Sequence, residues 1–483
     1  MVHMFTDHSD VLPADVDTTS RLSRRVTLKI PVITSAMDTI TEAKMAIAMA
    51  EGGGIGSIHR NLQPEDQAKH VARVKHRLNG LIRTPFTLYK NMTVAGHRAN
   101  QEQRRREQKN VFDKFPVVAR EGSTRLVGVV TDNDLDFCID PNRTIGDFMT
   151  PLRRVKRAGP GTTIDEAYRI MLENKIKLFP LVDGTNVCGM YLFSDAKRIR
   201  SGVRTMQNTD SDGQLVVCAS VGVGDGAMRR AELLAPRRCN VFHIDTAHGD
   251  SGNVFDTIRR LKAAYPTIDV IAGNISRGES AKRLVDTGVD GILVGQGPGA
   301  ICITRIIAGI GVPQVSAIFD CVRAVEDTDV PIIADGGIEY SGDAAVALAI
   351  GASCVMVGRY LGGTDETPGE VIHYKGRLVK KIRGMGSLGA LRESASSQER
   401  YLQTANGPLV PEGVEGLVNY QGPVHDVLDQ LVGGVRKSMG YLGAKNLTEF
   451  RERADLFLVP DSKESHPHSI TISEDAPNYQ ARQ

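Results

Sequence analysis

The stretch Pro331-Ile-Ile-Ala-Asp-Gly-Gly337 shows the pattern that decides the fold: a short apolar run that ends in a polar residue and glycines. Continuously apolar runs of this length are typical of strands buried on both faces. Helical patterns separate the runs, for example at Glu42–Glu51, Ser251–Ala264, Arg277–Thr287 and Asp343–Ile350. Eight such units predict a closed (β/α)8 barrel of the TIM type, in the α/β class. The predicted strands are Val32–Ser35, Ile55–Ile58, Val216–Val221, Val241–Asp245, Val270–Gly273, Ile292–Gly295, Ile332–Asp335 and Val355–Gly358.

An insertion interrupts this barrel after its second unit and contains an internal repeat. Phe115-Pro-Val-Val118 precedes Gly128-Val-Val-Thr-Asp-Asn-Asp134, and Phe179-Pro-Leu-Val182 precedes Gly189-Met-Tyr-Leu-Phe-Ser-Asp195. A helix with a capping threonine is predicted to begin at Thr162–Ala167. The repeat resembles a tandem pair of CBS modules (a Bateman domain), which commonly bind adenine or guanine nucleotides. We therefore expect barrel segments at 1–78 and 204–483 and CBS modules at about 79–145 and 146–203.

The composition limits the classes of function. With 59 basic and 57 acidic side chains, the formal net charge is +2, which argues against a protein that binds nucleic acid through bulk electrostatics. The 41% hydrophobic and 24% charged residues are typical of a globular chain. No apolar run approaches the roughly 18 residues that cross a bilayer, and the first 15 residues lack the apolar core of a secretory signal. Seven cysteines without a Cys-x-x-Cys pair favour free thiols in a reducing compartment, so we expect a cytoplasmic protein.

The chemistry is expected at the carboxyl ends of the strands, where barrels of this kind carry their active sites. The loop Val294–Arg305 surrounds Cys302 with glycines and a proline, which exposes the backbone and presents the thiol at the barrel mouth. By itself this is a modest signal, because a buried inert thiol is commoner, and we apply that interpretation to the other six cysteines. His248 has the residue type of a general base, although a loop histidine satisfied by water is the commoner case.

Two glycine clusters mark a predicted phosphate site. Gly336 and Gly337 follow the seventh strand and Gly358-Arg359 ends the eighth, and loops after these two strands often bind phosphate in this fold. The glycine amides can donate to phosphate oxygens. Asp335 would repel a phosphate, so we expect it to accept hydrogen bonds from ribose hydroxyls. The alternative is that these glycines only permit tight turns.

Several longer motifs together resemble the IMP dehydrogenase/GMP reductase family. The resemblance covers nearly the whole chain, including a CBS pair between the second and third strands. Its Arg-Tyr motif favours the dehydrogenase branch, because reductases need no hydrolysis and typically lack that pair. The motifs are PVITSAMDT (31–39), GGGIGSIHRN (52–61), IDTAHG (244–249), AGN (272–274), GPGAICITR (297–305), ADGGI (334–338), RGMGSLGA (383–390), SSQERY (396–401) and LVPEGVEG (409–416).

The resemblance implies oxidation of IMP to XMP with NAD+ and water. In the family a cysteine thiolate adds to C2 of the purine, hydride leaves for the nicotinamide, and water hydrolyses the covalent adduct. Cys302 matches that cysteine, and Thr304 matches the assisting threonine. Arg400 and Tyr401 match the pair that activates water. Because an arginine normally stays protonated, a basic role needs a desolvated site, or a route through Thr304 and Glu412.

The same resemblance implies binding roles. K+ is expected on carbonyls of Gly297, Gly299 and Cys302, completed by Glu464, Ser465 and His466 of a neighbouring subunit. Such sharing implies a homotetramer and leaves octamers open. Asp134 and Asp195 match the ribose-binding carboxylates of CBS modules. The cofactor side would use Asp245, Asn274, Gly295 and Gly297. The nucleotide would contact Ser35, Met37, Ala300, Asp335, Gly336, Gly337, Met356, Gly358, Arg359, Gly384, Met385, Gly386 and Glu412.

The chain departs from the family mainly at the phosphate site. Ala300 and Arg359 replace serines, and Ile382 replaces a tyrosine. Three lost hydroxyls are expected to weaken phosphate binding by roughly 1 kcal/mol each, which a charge-assisted contact from Arg359 would offset in part. Two alternatives follow. One is a CBS-containing GMP reductase that releases ammonia and uses NADPH. The other is a nucleotide sensor with an inactive barrel, against which the retained catalytic set speaks.

Overall fold

The computed structural model describes residues 2–77, 81–83, 85–106, 112–200, 206–403 and 407–459. The chain divides into two compact units. One unit comprises Met1–Arg77, Met206–Asp210 and Leu215–Gln483, and the other comprises Leu78–Thr205 and Ser211–Gln214. No helix in the described ranges is long and apolar enough to cross a membrane.

The larger unit contains a closed barrel of eight parallel strands, as the sequence predicts. The first strand pairs with the last through Ile33 and Met356, which closes the barrel. Every strand residue is buried except Asp335, which explains why most of the runs are continuously apolar. The strands are β1 Val32–Thr34, β2 Ile55–Ile58, β3 Cys218–Ser220, β4 Val241–Asp245, β5 Asp269–Ile275, β6 Gly291–Val294, β7 Ile332–Asp335 and β8 Cys354–Val357.

Helices follow the strands and carry the expected end signals. In the helix Pro64–Lys75, proline opens the first turn with Glu65 and Asp66, and Arg73 and Lys75 lie in the last turn, which suits the helix dipole. The main helices are α1 Ala43–Glu51, α2 Pro64–Lys75, α3 Gly224–Leu234, α4 Gly252–Ala264, α5 Gly278–Val285, α6 Gln314–Ala324, α7 Ser341–Ala349 and α8 Val424–Leu442.

Helix α8 begins directly after Pro423 and contains the paired glycines Gly433 and Gly434. Its paired glycines do not break it. A Cβ added at Gly434 would lie 2.1 Å from the hydroxyl of Ser341 at the start of α7, so glycine permits this close helix contact.

A small antiparallel sheet lies beyond β8 and comprises Ile372–Tyr374, Arg377–Arg383 and Glu415–Asn419. It brings the segments at 384–386 and 412–414 together, since Gly384 N–H donates to Val414 O at 2.9 Å. Val2–Met4 pairs with Leu456–Leu458, and Ser20–Arg21 pairs with Thr27–Leu28. Shorter helices are Ala235–Arg237, Thr304–Ile307, Arg359–Leu361, Leu388–Glu393, Ala395–Arg400 and Leu447–Arg453.

The smaller unit shows the predicted repeat as two hairpins. Lys114–Val118 pairs with Leu126–Thr131, and Leu178–Asp183 pairs with Asn186–Leu192. Each hairpin leads directly into a helix, and Thr163 caps a further helix by exchanging hydrogen bonds with Glu166. The identity of the unit as two CBS modules remains a prediction. Its other strands are Leu88–Tyr89 and Thr150–Pro151, and its helices are Val94–Arg106, Asp132–Asp136, Ile145–Phe148, Leu152–Arg154, Ile164–Asn174 and Phe193–Arg200.

Candidate active site

A cavity of about 510 Å³ opens at the carboxyl ends of the barrel strands. This volume is within the range of roughly 300–1,000 Å³ that is typical of small-molecule sites. The barrel therefore brings together side chains and loops that are far apart in sequence. The predicted residues that line it are Ser35, Met37, Asp245, Asn274, Gly295, Gly297, Gly299, Ala300, Cys302, Thr304, Asp335, Gly336, Gly337, Met356, Gly358, Arg359, Gly384, Met385, Arg400 and Tyr401.

Cys302 lies in this cavity on a loop that is held from both sides. Its N–H donates to Gly299 O at 3.0 Å, and the neighbouring Ile301 O accepts from Val414 N–H at 3.0 Å. The thiol donates to the Thr304 hydroxyl, with Sγ and Oγ1 3.2 Å apart. The backbone thus fixes where the thiol points, and the threonine is the polar group beside it.

The other cysteines have different surroundings. Cys218 lies inside the barrel wall, and burial raises the pKa of its thiol far above the usual range. Burial raises the pKa of Cys239, Cys321 and Cys354 to about 12 and also raises that of Cys188. A thiol with such a pKa contains almost no nucleophilic thiolate near pH 7. These surroundings agree with the interpretation that these thiols are inert.

Arg400 and Asp245 form a buried ion pair across the cavity. A guanidinium nitrogen of Arg400 contacts the Asp245 carboxylate, and the side chains are only 16% and 5% exposed. Burial alone would lower the pKa of Arg400, but nearby negative groups, led by Asp245, outweigh it and raise that pKa above its ordinary value. Arg400 is therefore a cation in this arrangement. Burial also raises the pKa of Tyr401 to about 12, so its phenol keeps its proton at neutral pH.

Asp335 is the second carboxylate in the cavity. Burial raises its pKa to about 6, against a lowering hydrogen bond from Asn274. Asn274 Nδ2 donates to Asp335 Oδ2 at 2.7 Å and to Gly295 O at 2.9 Å. The buried Oδ1 of Asn274 has no hydrogen-bond partner among the described residues, so this amide oxygen can accept from a bound ligand.

The predicted phosphate side has glycines in conformations that side chains rarely adopt. Gly336 and Gly337 have φ values of +90° and +78°, and Gly358 packs within 3.2 Å of Ser35 Oγ as judged from an added Cβ. Arg359 lines the same side, with Nη1 3.7 Å from Glu339 Oε1. The glycines therefore permit tight turns here, and the phosphate contact of their amides remains a prediction.

Two predicted contacts, Gly386 and Glu412, and the substituted position Ile382 do not line the cavity. Ile382 is buried in the small sheet and does not line the cavity. Gly386 makes room for Tyr401, because a Cβ there would lie 2.6 Å from the ring. Glu412 supports the Cys302 loop through its backbone, since its carbonyl accepts from Ile303 N–H at 2.9 Å. The nucleotide contacts assigned to Gly386 and Glu412 remain predictions.

The residues of the predicted cation and regulatory sites lie partly within the described ranges. Carbonyl oxygens at 297–302 are hard donors that suit K+, whereas Glu464, Ser465 and His466 lie outside the described residues. The described part of the chain has no cluster of three His, Cys, Asp or Glu that could hold a metal. Asp134 sits in a capping box with Thr131, and Asp195 is buried in the first turn of its helix.

His248, which has the residue type of a general base, is exposed and does not line the cavity, in line with a solvated loop histidine.

The sequence interpretation missed some charged residues at or near the site. Glu339 was missed, although it directly follows the ADGGI motif. Arg60 and Glu399 were also missed as a pair, although both lie within quoted motifs. Their nitrogen and oxygen are 2.6 Å apart. The signal that could have identified Glu399 is its position directly before the predicted catalytic Arg400.

The comparisons with known proteins identify the family of this chain. Residues 1–468 match the family model described as IMP dehydrogenase / GMP reductase domain. The chain is 42% identical to inosine-5'-monophosphate dehydrogenase of Aquifex aeolicus, covering 99% of this chain and 96% of that protein. The corresponding enzyme of Helicobacter pylori (strain 26695) is 43% identical, with 99% and 97% covered.

Solved structures of similar proteins carry the other family name. A cysteine-to-alanine variant of GMP reductase from Trypanosoma brucei, in complex with guanosine 5'-monophosphate, is 36% identical. It gives a TM-score of 0.86 over 98% of this chain and 97% of that one. The same reductase with guanosine 5'-triphosphate gives 0.75 at 33% identity, over 94% and 96%. The chain belongs to the IMP dehydrogenase/GMP reductase family.

Proposed function

We propose that this chain is an NAD+-dependent IMP dehydrogenase. The observation that carries the proposal is the meeting of Cys302 with Arg400 and Tyr401 in one cavity. A nucleophile alone serves either branch of the family, but a group that assists hydrolysis is needed only by the dehydrogenase. Relatives with that name share 42–43% identity over nearly the full chain.

In the first half-reaction, the Cys302 thiolate forms a bond to C2 of the hypoxanthine ring. The C2–H bond breaks and a covalent thioimidate is left on Cys302; NAD+, when bound, would supply the hydride acceptor and leave as NADH. Asp335 accepts from the ribose hydroxyls, and Asn274 keeps its carboxylate oriented. Thr304 accepts a hydrogen bond from the thiol and so orients it.

In the second half-reaction, water adds to C2, the C2–sulfur bond breaks, and XMP leaves with Cys302 restored. Arg400 is charged, so it acts first as an electrostatic and hydrogen-bonding group that orients water. A proton leaves through Arg400 only if bound ligand removes the field of Asp245; the alternative route is Thr304 with Glu412. Arg400 occupies one oxygen of the Asp245 carboxylate, so a nicotinamide ribose that needs this oxygen would require a different arrangement of Arg400.

The remaining assignments belong to the same proposal. Arg359 contacts the phosphate together with amides of Gly336, Gly337 and Gly358. K+ binds carbonyls of the Cys302 loop. The enzyme is a cytoplasmic homotetramer, with octamers as a further assembly. Adenine or guanine nucleotides bind the inserted unit through Asp134 and Asp195 and regulate the barrel.

A second candidate, a GMP reductase with NADPH, is favoured by one observation. The solved structures at 33–36% identity carry that name and cover nearly the whole chain. In that reaction the Cys302 adduct loses ammonia from C2 and receives hydride from NADPH, so Arg400 and Tyr401 have no water to orient.

Absorbance at 340 nm separates the two candidates. The protein is given IMP with NAD+ in one cuvette and GMP with NADPH in another, each with K+ or Na+. Formation of NADH that rises with K+ supports the dehydrogenase. Consumption of NADPH with GMP, without NADH formation from IMP, refutes it.

A further inference from the structure

We propose that the ion pair between Arg60 and Glu399 positions Arg400 and Tyr401 in the cavity and so controls the hydrolytic half-reaction. The inference rests on the proposed function, since it assigns Arg400 to hydrolysis. Arg60 and Glu399 do not line the cavity. They act through the segment that does, as positioning residues.

The short helix Ala395–Arg400 is docked by contacts on two sides of its last turn. On one side, Ala247 N–H donates to Arg400 O at 3.1 Å, close to the Asp245 carboxylate that contacts the Arg400 side chain. On the other side, Arg60 Nη1 donates to Glu399 Oε2 at 2.6 Å. Val223 N–H donates to the other oxygen of Glu399 at 3.3 Å. The residue before Arg400 thus fixes it to the loops after β2 and β3.

The first turn of the same helix is held by neutral groups. The hydroxyl of Ser394 donates to Asn61 Oδ1 at 2.9 Å, and Asn61 Nδ2 donates to Ser397 Oγ at 3.0 Å. These hydrogen bonds keep the start of the helix in place without Glu399. Loss of the ion pair is therefore expected to free the end that carries Arg400 rather than the whole segment.

The two side chains of the ion pair are buried to different extents, so loss of the contact is more costly for Arg60 than for Glu399. The Arg60 side chain is 5% exposed, whereas that of Glu399 is 40% exposed. Arg230 lies close by: burial, together with the charge of Arg60, lowers its pKa to about 10. Among the described residues, Glu399 is the carboxylate that forms an ion pair with Arg60. A buried cation that loses its partner is costly, so undocking of Glu399 is opposed.

Docking also decides which partner Asp245 has. With the helix end in place, Arg400 contacts Oδ2 of Asp245; with it displaced, that oxygen is open to a nicotinamide ribose. Weakening the Arg60–Glu399 pair should therefore slow hydrolysis, leave hydride transfer intact and leave the KM for NAD+ unchanged or lower. A purely structural role would instead affect both half-reactions together.

The test compares Glu399→Gln, Glu399→Asp and the control Glu393→Gln. Glu393 also pairs with an arginine near this segment, but Arg383 keeps Asp38 as a second partner at 2.7 Å, so the control should behave as wild type. For Glu399→Gln we expect an unchanged NADH burst, a steady-state kcat lowered by about tenfold or more, and a covalent adduct in intact-protein mass spectra. Glu399→Asp should recover part of the rate.

Hydrogen–deuterium exchange of peptides covering 395–401, measured without ligands, gives a readout that does not need activity. We expect faster exchange in Glu399→Gln alone. Unchanged exchange, or a burst and a kcat that fall by the same factor, overturns the inference. Faster exchange in a protein that does not oxidise IMP would support the docking role and refute the proposed function instead.

Discussion

The ionised Asp335 carboxylate is expected to lower the free energy of unfolding but to be required for nucleotide binding. The substitution Asp335→Asn separates these two effects. The carboxyl has a pKa of about 6 in the folded chain, against an ordinary value of 3.8. The difference of about 2 units corresponds to about 3 kcal/mol that folding loses when the group ionises. The amide keeps an oxygen that can accept from Asn274 and carries no charge to bury.

The direction of the pH effect follows from the raised pKa. At or below about pH 3 the carboxyl is protonated in the folded and unfolded states, so it costs nothing. Between about pH 3.8 and 6 the folded state still binds the proton that the unfolded state releases, and stability is lost as pH rises. Asp335→Asn lacks this group, so its advantage over the parent protein should appear between pH 4 and 6 and stay constant above.

Thermal melting followed by tyrosine fluorescence or circular dichroism measures this advantage. An unfolding entropy of about 2.1 cal/mol/K per residue gives about 0.7 kcal/mol/K for a unit of about 350 residues. The variant should therefore melt about 4 °C higher than the parent at pH 8 and equally at pH 3. Asp327→Asn, on an exposed loop after α6, is the matched control and should shift by less than about 1 °C.

The same substitution should remove nucleotide binding, because an amide nitrogen cannot accept from both ribose hydroxyls. We expect kcat/KM for IMP to fall by about 100-fold or more, and the parent enzyme to lose kcat/KM below about pH 6. A variant that melts lower than the parent at pH 8, or a parent profile without this acidic limb, would refute the reasoning.

Three further outcomes test other parts of the site. Cys302→Ala should abolish NADH formation while Cys321→Ala retains it; turnover in the former would refute the covalent route. Arg400→Ala should give one burst of NADH and a trapped adduct, and free turnover would contradict its role in hydrolysis. Arg359→Ser should raise the KM for IMP several-fold without changing that for NAD+, whereas an unchanged or improved KM for IMP counts against a phosphate contact.

The barrel strands are predictable from sequence because burial on both faces leaves little choice of residue type. Ile55–Ile58, Val241–Asp245 and Ile332–Asp335 have the predicted bounds, and the other strands differ by one or two residues at one or both ends. The start of α8 could not be predicted in the same way. Its glycines are unfavourable locally, and the close contact with Ser341 that explains one of them depends on the tertiary structure.

Much of the site was also predictable, since 20 of the residues named from motifs line one cavity. The partners inside the site were not. Asp245 was expected to face the cofactor, and nothing in the sequence says that its carboxylate is taken by Arg400, 155 residues away. Ion pairs of this separation depend on where loops return over the barrel, and periodicity along the chain contains no such information.

The charged side chains at this barrel mouth interact strongly because they are buried, and not because the chain has a large net charge. The chain is nearly neutral overall, yet Asp245, Asp335 and Arg400 share one enclosed volume. In such a volume the interaction energy between charges is larger than on the surface, so a change of ion-pair partner has a larger energetic effect. Replacing Asp245 by asparagine would leave Arg400 without its buried carboxylate partner. On the roles proposed above, Arg400 and the cofactor ribose would share this carboxylate, so residues that hold Arg400 in place, such as Glu399, would change the ratio of the two half-reactions without touching the substrate.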